Sequence, residues 1–280
     1  MPPEQANTPA PIQPETMKPV PFWKLKKVWI PAVILMLVVV GLLPLRQPTP
    51  QVNGHLLAGS KSVSGDFQYH AESPSLTVVA LYPAATPIKD PTIDARVRME
   101  VEQFVLDKIN SFKSKYANVP EGNHVTLELL YTQSLSSKTF SYVYETRISE
   151  KGGGSYLSQE DSDVFESIVF DNNGNRMSLG DLFTLGSGYL GIISREATGL
   201  VQQQLDQLAR ERGTTFTIKV AGLAPTEENF KAFSLNGTRL LIIFSVGQAA
   251  DKEAGPLYVD LPLESLSALS GIVRPSILQF

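Results

Sequence analysis

His55, His70 and His124 are the only histidines in this 280-residue chain, and it contains no cysteine. A thiolate nucleophile, a disulfide framework and a cysteine-held metal are therefore excluded. The histidines stand too far apart for a His-x-x-x-His or His-Glu-x-x-His metal motif, and no Gly-x-Ser-x-Gly, Ser-x-x-Lys or phosphate-loop pattern occurs. A site built from distant residues remains open, with His124, Glu128 and Asp163 as candidates, although a histidine at a strand edge is more often structural. Asp171, Asn173 and Asn175 share the ligand spacing of a calcium loop. Arg176 then occupies the glycine position and Leu182 that of the bidentate glutamate, so the stretch reads as a hairpin turn. No catalytic residue, metal ligand or cofactor is expected. The chemistry left is recognition: Asp251, Lys252, Glu253 and Gly255 in the loop 247–255 (GQAADKEAG), and Tyr156 beside Gly152-Gly153-Gly154-Ser155. Loops of small and polar residues between strands are where binding sits on a rigid scaffold.

Those loops need elements to hold them. Leu76 to Tyr82 is apolar and β-branched and stops at Pro83: a strand. Asp90-Pro91 is an N-cap followed by proline at the first helical position, and apolar residues then recur from Ile93 through Tyr116 at three- and four-residue steps, predicting a helix to about Ala117. Alternation predicts strands over 124–133 and 139–148, with another over 164–170. A short turn-helix at 178–183 precedes a long helix from about Tyr189 to Arg212, ended by Gly213. A further helix start is read at Thr226, a hairpin around Asn236-Gly237, a last strand at 258–261 and a helical turn at 263–269. Without a repeating strand–helix–strand rhythm the class is α+β, antiparallel sheets with two long helices.

One transmembrane helix is expected ahead of this domain. From Val28 to Leu45 the chain (VWIPAVILMLVVVGLLPL) carries no charge and is about long enough to cross a bilayer. It exceeds a signal peptide's apolar core, and no Ala-x-Ala site follows it. Lys24, Lys26 and Lys27 flank one side and Arg46 the other, which places the N-terminus in the cytoplasm and the domain outside. The expected organisation is a proline-rich disordered tail (1–27), the span (28–45), a stalk (46–65), two α+β subdomains (66–163 and 164–270) and a tail (271–280). With net charge −4 and no basic cluster beyond the lysines at the span, nucleic acid is not an expected partner.

The order of motifs resembles a bacterial ectodomain. Its carriers are Tyr82-Pro83 and the helix after it, Asp171 through Asp181-Leu182-Phe183, Phe230 with Phe233-Ser234-Leu235, the strand from Leu240 to Phe244, and Ala254-Gly255-Pro256 leading to Val259-Asp260-Leu261-Pro262. It is similar to the domain pair of unknown function in RsiV-type anti-sigma factors and beside membrane-anchored peptidoglycan deacetylases. The resemblance implies a membrane-anchored envelope protein whose outer domain binds a protein or a glycan, as a sensor or binding module with a regulatory role. The alternative is a wall-modifying enzyme or accessory domain whose site is not visible in sequence. Where the family carries Pro-Tyr in its recognition loop, this chain has Asp251-Lys252. A charged, salt-sensitive contact of modest affinity is expected there in place of an aromatic anchor.

Overall fold

The computed structural model describes residues 66–152, 163–270, 273, 274 and 277. The tail, the span from Val28 to Leu45, the stalk, His55 and Tyr156 lie outside the described residues. Among the described residues no helix is long and apolar enough to cross a membrane.

Six strands form the larger sheet in the order β1 (Phe67–Glu72), β2 (Leu76–Tyr82), β3 (His124–Leu135), β4 (Thr139–Lys151), β5 (Val164–Asp171) and β6 (Arg176–Met177). Between β2 and β3 runs α1 (Pro91–Lys115), capped by the Asp90 carboxylate, which accepts from the Thr92 and Ile93 amides. Because that helix carries the chain back along the sheet, β2 and β3 pair in parallel. This corrects the expectation of purely antiparallel sheets: one strand–helix–strand unit suffices to make the sheet mixed. β1 was not expected either, since FQYHAE alternates poorly between apolar and polar.

The smaller sheet is antiparallel: β7 (Phe233–Asn236), β8 (Arg239–Phe244) and β9 (Leu257–Pro262). α2 (Tyr189–Arg212) ends at Gly213 in the left-handed region as expected, and α3 (Leu263–Ser270) follows β9. The helix anticipated at Thr226 is a single 3-10 turn, Glu227–Phe230. From residue 164 on, β5 and β6 continue the larger sheet, and all described residues fall within one compact unit, Leu57–Phe280.

The pleat sorts side chains into three apolar layers. Phe140, Tyr142 and Tyr144 of β4 face α1, packing with Val97, Val101, Val105 and Ile109. Val143, on the opposite face of β4, joins Phe165, Leu241 and Ile243 between the sheets. Leu240, Ile242 and Phe244 of β8 turn away from that seam to meet Ile193, Ala197, Val201 and Leu205 of α2. The order through the domain is helix, sheet, sheet, helix. Serines lock the sheets together: Ser134 Oγ donates to the Leu235 carbonyl at 3.0 Å, Ser167 Oγ accepts from the Phe233 amide at 2.9 Å, and Ser245 Oγ accepts from the Phe165 amide at 2.9 Å.

Register then assigns every turn to one of two ends. Phe67 pairs with Tyr82, Leu135 with Phe140 and Thr139 with Asp171, so the chain enters the domain at the same end as the β3–β4 and β5–β6 turns. Asn172 Nδ2 donates to the Ser137 carbonyl at 2.8 Å, joining those turns, and the Ser134–Leu235 bond brings the β7–β8 turn there too. The other end carries His124, paired with Lys151, and the start of β5, where the Val246 amide donates to the Asp163 carbonyl at 3.2 Å.

Candidate functional site

The expected recognition loop, 247–255, lies at the end opposite the point where the chain enters. Its neighbour is the segment that leaves α2, residues 213–223. A short antiparallel bridge joins Ile218 to Ala250, and the Lys219 amide donates to the Ala249 carbonyl at 2.8 Å. The Asp251 carboxylate accepts from the Thr217 amide at 2.6 Å while its own amide donates to the Thr217 carbonyl at 3.2 Å. Asp251 is thus half-buried and engaged by the fold, not a free surface charge.

Gln248 secures the loop's other side. Its Oε1 accepts from the Ser245 amide at 3.0 Å and its Nε2 donates to the Asn229 carbonyl at 2.9 Å. Gly222 makes that approach feasible: a Cβ there would stand 1.9 Å from the Gln248 carbonyl oxygen. Lys219 Nζ donates to the Gly247 carbonyl at 2.9 Å, and the Lys252 stem lies over Gly247. Arg212, from the last turn of α2, donates to the Glu253 carbonyl at 2.5 Å. Lys252 to Ala254 form a 3-10 turn, which Gly255 closes at φ 79.

What remains outward is exposed Glu253, half-exposed Lys252, exposed Lys219, and Val220 at 72% exposure. The loop's backbone is thus held from four directions, with an apolar side chain standing among opposite charges. The structure brings this loop to the end where the β4–β5 connection departs at Lys151 and returns at Asp163. Tyr156 belongs to that connection but lies outside the described residues. Residues 213–223 escaped the sequence reading; an exposed Val220 beside Lys219, just past a glycine-capped helix, was the signal available.

The assembled catalytic candidate does not form. His124 Nε2 is 2.8 Å from Thr77 Oγ1 and its Nδ1 is 3.1 Å from the Pro74 carbonyl, so one ring nitrogen ties β3 to β2 and the other ties it to the β1–β2 turn. Glu128 stands opposite Arg147 on β4. Every resolved ionisation shift moves its group away from neutrality. For Asp94 burial opposes ionisation, but hydrogen bonds from Thr86 and the Arg98 guanidinium hold its carboxyl below the usual range. Burial, with Glu227 accepting its hydroxyl proton, pushes Tyr189 up to about 12, and burial also pushes Tyr258 up to about 12. None of these is poised for proton transfer near pH 7. Among the described residues no cluster of three or more histidines and carboxylates could hold a metal.

At the opposite end an open cleft of about 430 Å³ lies between the β3–β4 and β5–β6 turns, lined among others by Lys138, Asn172, Arg176 and Arg274. Arg274 Nε donates to the Phe183 carbonyl at 2.7 Å. Asp171 also lines the cleft, its carboxylate accepting from the Asn173 and Asn175 amides at 2.8 Å each, which fixes the hairpin turn expected in place of a calcium loop.

No protein-family model matches the chain, and no curated protein does. Among the solved structures that resemble it are two DUF3298 family proteins, domains of unknown function. One, from Pseudomonas aeruginosa PAO1, has a TM-score of 0.48 at 13% identity, covering 77% of this chain and 94% of that one. The other, from Bacteroides fragilis NCTC 9343, has a TM-score of 0.41 at 14% identity, covering 76% and 94%.

Proposed function

We propose that this is a membrane-anchored binding module of the bacterial envelope, whose outer domain recognises an envelope protein through the pinned loop 247–255 and its neighbour 213–223. The observation that carries this is the preorganised surface of Lys219, Val220, Lys252 and Glu253 at the end of the domain farthest from where the chain enters. An apolar residue rimmed by charges of both signs matches a small protein interface, with a glycan as the other class of ligand. Anchoring rests on the apolar run from Val28 to Leu45, and its orientation on Lys24, Lys26 and Lys27. A sensing or regulatory role of the anti-sigma kind would follow if binding outside altered the cytoplasmic tail.

The test uses the full chain in detergent, offered envelope protein extract or purified peptidoglycan at low and high salt. Binding to the protein fraction should weaken about tenfold with Val220→Asp, and again with paired reversal of Lys252 and Glu253 (Lys252→Glu with Glu253→Lys). Retention on peptidoglycan alone identifies a glycan ligand. Binding that ignores both variants and ionic strength removes this loop from the site.

A further inference from the structure

The end where the chain enters differs in chemistry from the recognition end. Lys89, Lys138 and Arg176 are exposed there, and no ion pair engages them among the described residues. Arg274 adds a fourth cation at the cleft. Most nearby carboxylates are engaged by the fold: Asp66 accepts from the Tyr131 hydroxyl, Asp94 from Thr86 and Arg98, and Asp181 from the Ser178 amide and hydroxyl, while exposed Asp90 caps α1 through the Thr92 and Ile93 amides and Glu264 is exposed beside the β7–β8 turn. Asp171 is held by its own turn. Leu135, three residues before Lys138, is 54% exposed. α1 joins the same end, because Arg96 donates to the Asn173 and Gly174 carbonyls at 2.9 and 3.0 Å.

We infer that this end is a contact surface for the bilayer in which the chain is anchored, with Lys89, Lys138, Arg176 and Arg274 meeting anionic phospholipid headgroups and Leu135 entering the interface. The inference rests on the anchored reading above. Three observations single out a bilayer as the occupant: outward cations that no ion pair engages among the described residues, carboxylates mostly engaged by the fold, and the position of both at the end where the chain comes in from residue 65. About 20 residues separate that point from the span, a length that can reach at most about 70 Å. Tethering within that limit makes a weak surface sufficient. Each cation near an anionic surface adds about fivefold to the association, and the sum falls with salt. Contact here would hold the recognition loop facing away from the membrane.

The experiment exploits the absence of native cysteines. Full-length protein carrying Ser137→Cys is labelled with an environment-sensitive dye and reconstituted into phosphatidylcholine vesicles, with or without phosphatidylglycerol, containing a headgroup nitroxide quencher. A second protein carries the dye on Glu121→Cys, at the opposite end. Quenching at position 137 should rise several-fold with phosphatidylglycerol, fall with Lys138→Glu plus Arg176→Glu or with high salt, and stay low at position 121. Equal quenching at both positions, or none at 137 in phosphatidylglycerol, overturns the inference. So does loss of quenching to inorganic phosphate beyond that caused by chloride of equal ionic strength, which would mark a free-phosphate site. Alkaline extraction separates the two readings: a chain that washes off the vesicles refutes the anchor, whereas one that stays without quenching refutes only the surface. Both cations are exposed, Lys138 in the β3–β4 turn and Arg176 at the start of β6, and an unchanged melting temperature verifies that the reversed variant is folded.

Discussion

Asp251 shows how one side chain can serve the fold and a site together. Its carboxylate holds the Thr217 amide, 34 residues away in sequence. Asp251→Ala should cost about 1–2 kcal/mol of stability and speed amide exchange at Thr217 and Ile218, measured by urea titration and hydrogen exchange. Glu253→Ala, whose side chain is in solvent, should change neither. Asp94 is a second case. Burial alone would raise its carboxyl, but Thr86 and Arg98 together depress it. A depressed folded value stabilises the protein above the unfolded carboxylate value of about 3.9, and this stability is lost as pH falls through the folded value. Asp94→Asn should therefore lower the urea midpoint at pH 7 and flatten its fall below about pH 4. An unchanged acid limb would contradict the linkage.

At the scale of elements, two glycines separate the recognition end from the chain-entering end. Gly174 sits at φ 72 in the β5–β6 turn, where a Cβ would lie 2.5 Å from Ile93 Cγ2 of α1. Gly174→Ala should destabilise the domain by about 2–3 kcal/mol, through strain and lost helix packing, and leave the 247–255 loop protected in hydrogen exchange. Gly222→Ala should do the reverse, opening that loop against Gln248 and weakening binding together with stability. The elements themselves were largely legible. Asp90-Pro91 and Gly213 marked helix boundaries through their capping chemistry, and Asn236-Gly237 marked a hairpin that formed, with Gly237 at φ 57. The parallel β2–β3 pairing was not legible, because pairing depends on which strands become neighbours and periodicity within each strand does not encode that. β9 raises a similar point: its edge is covered by Gln204 of α2, whose Nε2 donates to the Tyr258 carbonyl at 2.6 Å, a protection no local pattern announces.

For the molecule as a whole, the layered fold places two chemically distinct surfaces at opposite ends of the same strands. The sequence showed the composition of the 247–255 loop but not its partner segment, since residues 217–222 meet it through tertiary contacts such as the Ile218–Ala250 bridge and the Lys219 bonds to Gly247 and Ala249. Nor could it show that Asp251 is used internally, through its bond to the Thr217 amide, while Glu253 stays exposed. The chain's lack of cysteine allows one direct measurement of the central claim, that recognition occurs at this end. Full-length protein with a photocrosslinker on Glu253→Cys, or on Asn173→Cys at the other end, is irradiated in envelope-intact cells. The account predicts a discrete higher-mass protein adduct from position 253 that high salt suppresses, and none from position 173. A protein adduct from 173 with none from 253 would contradict it.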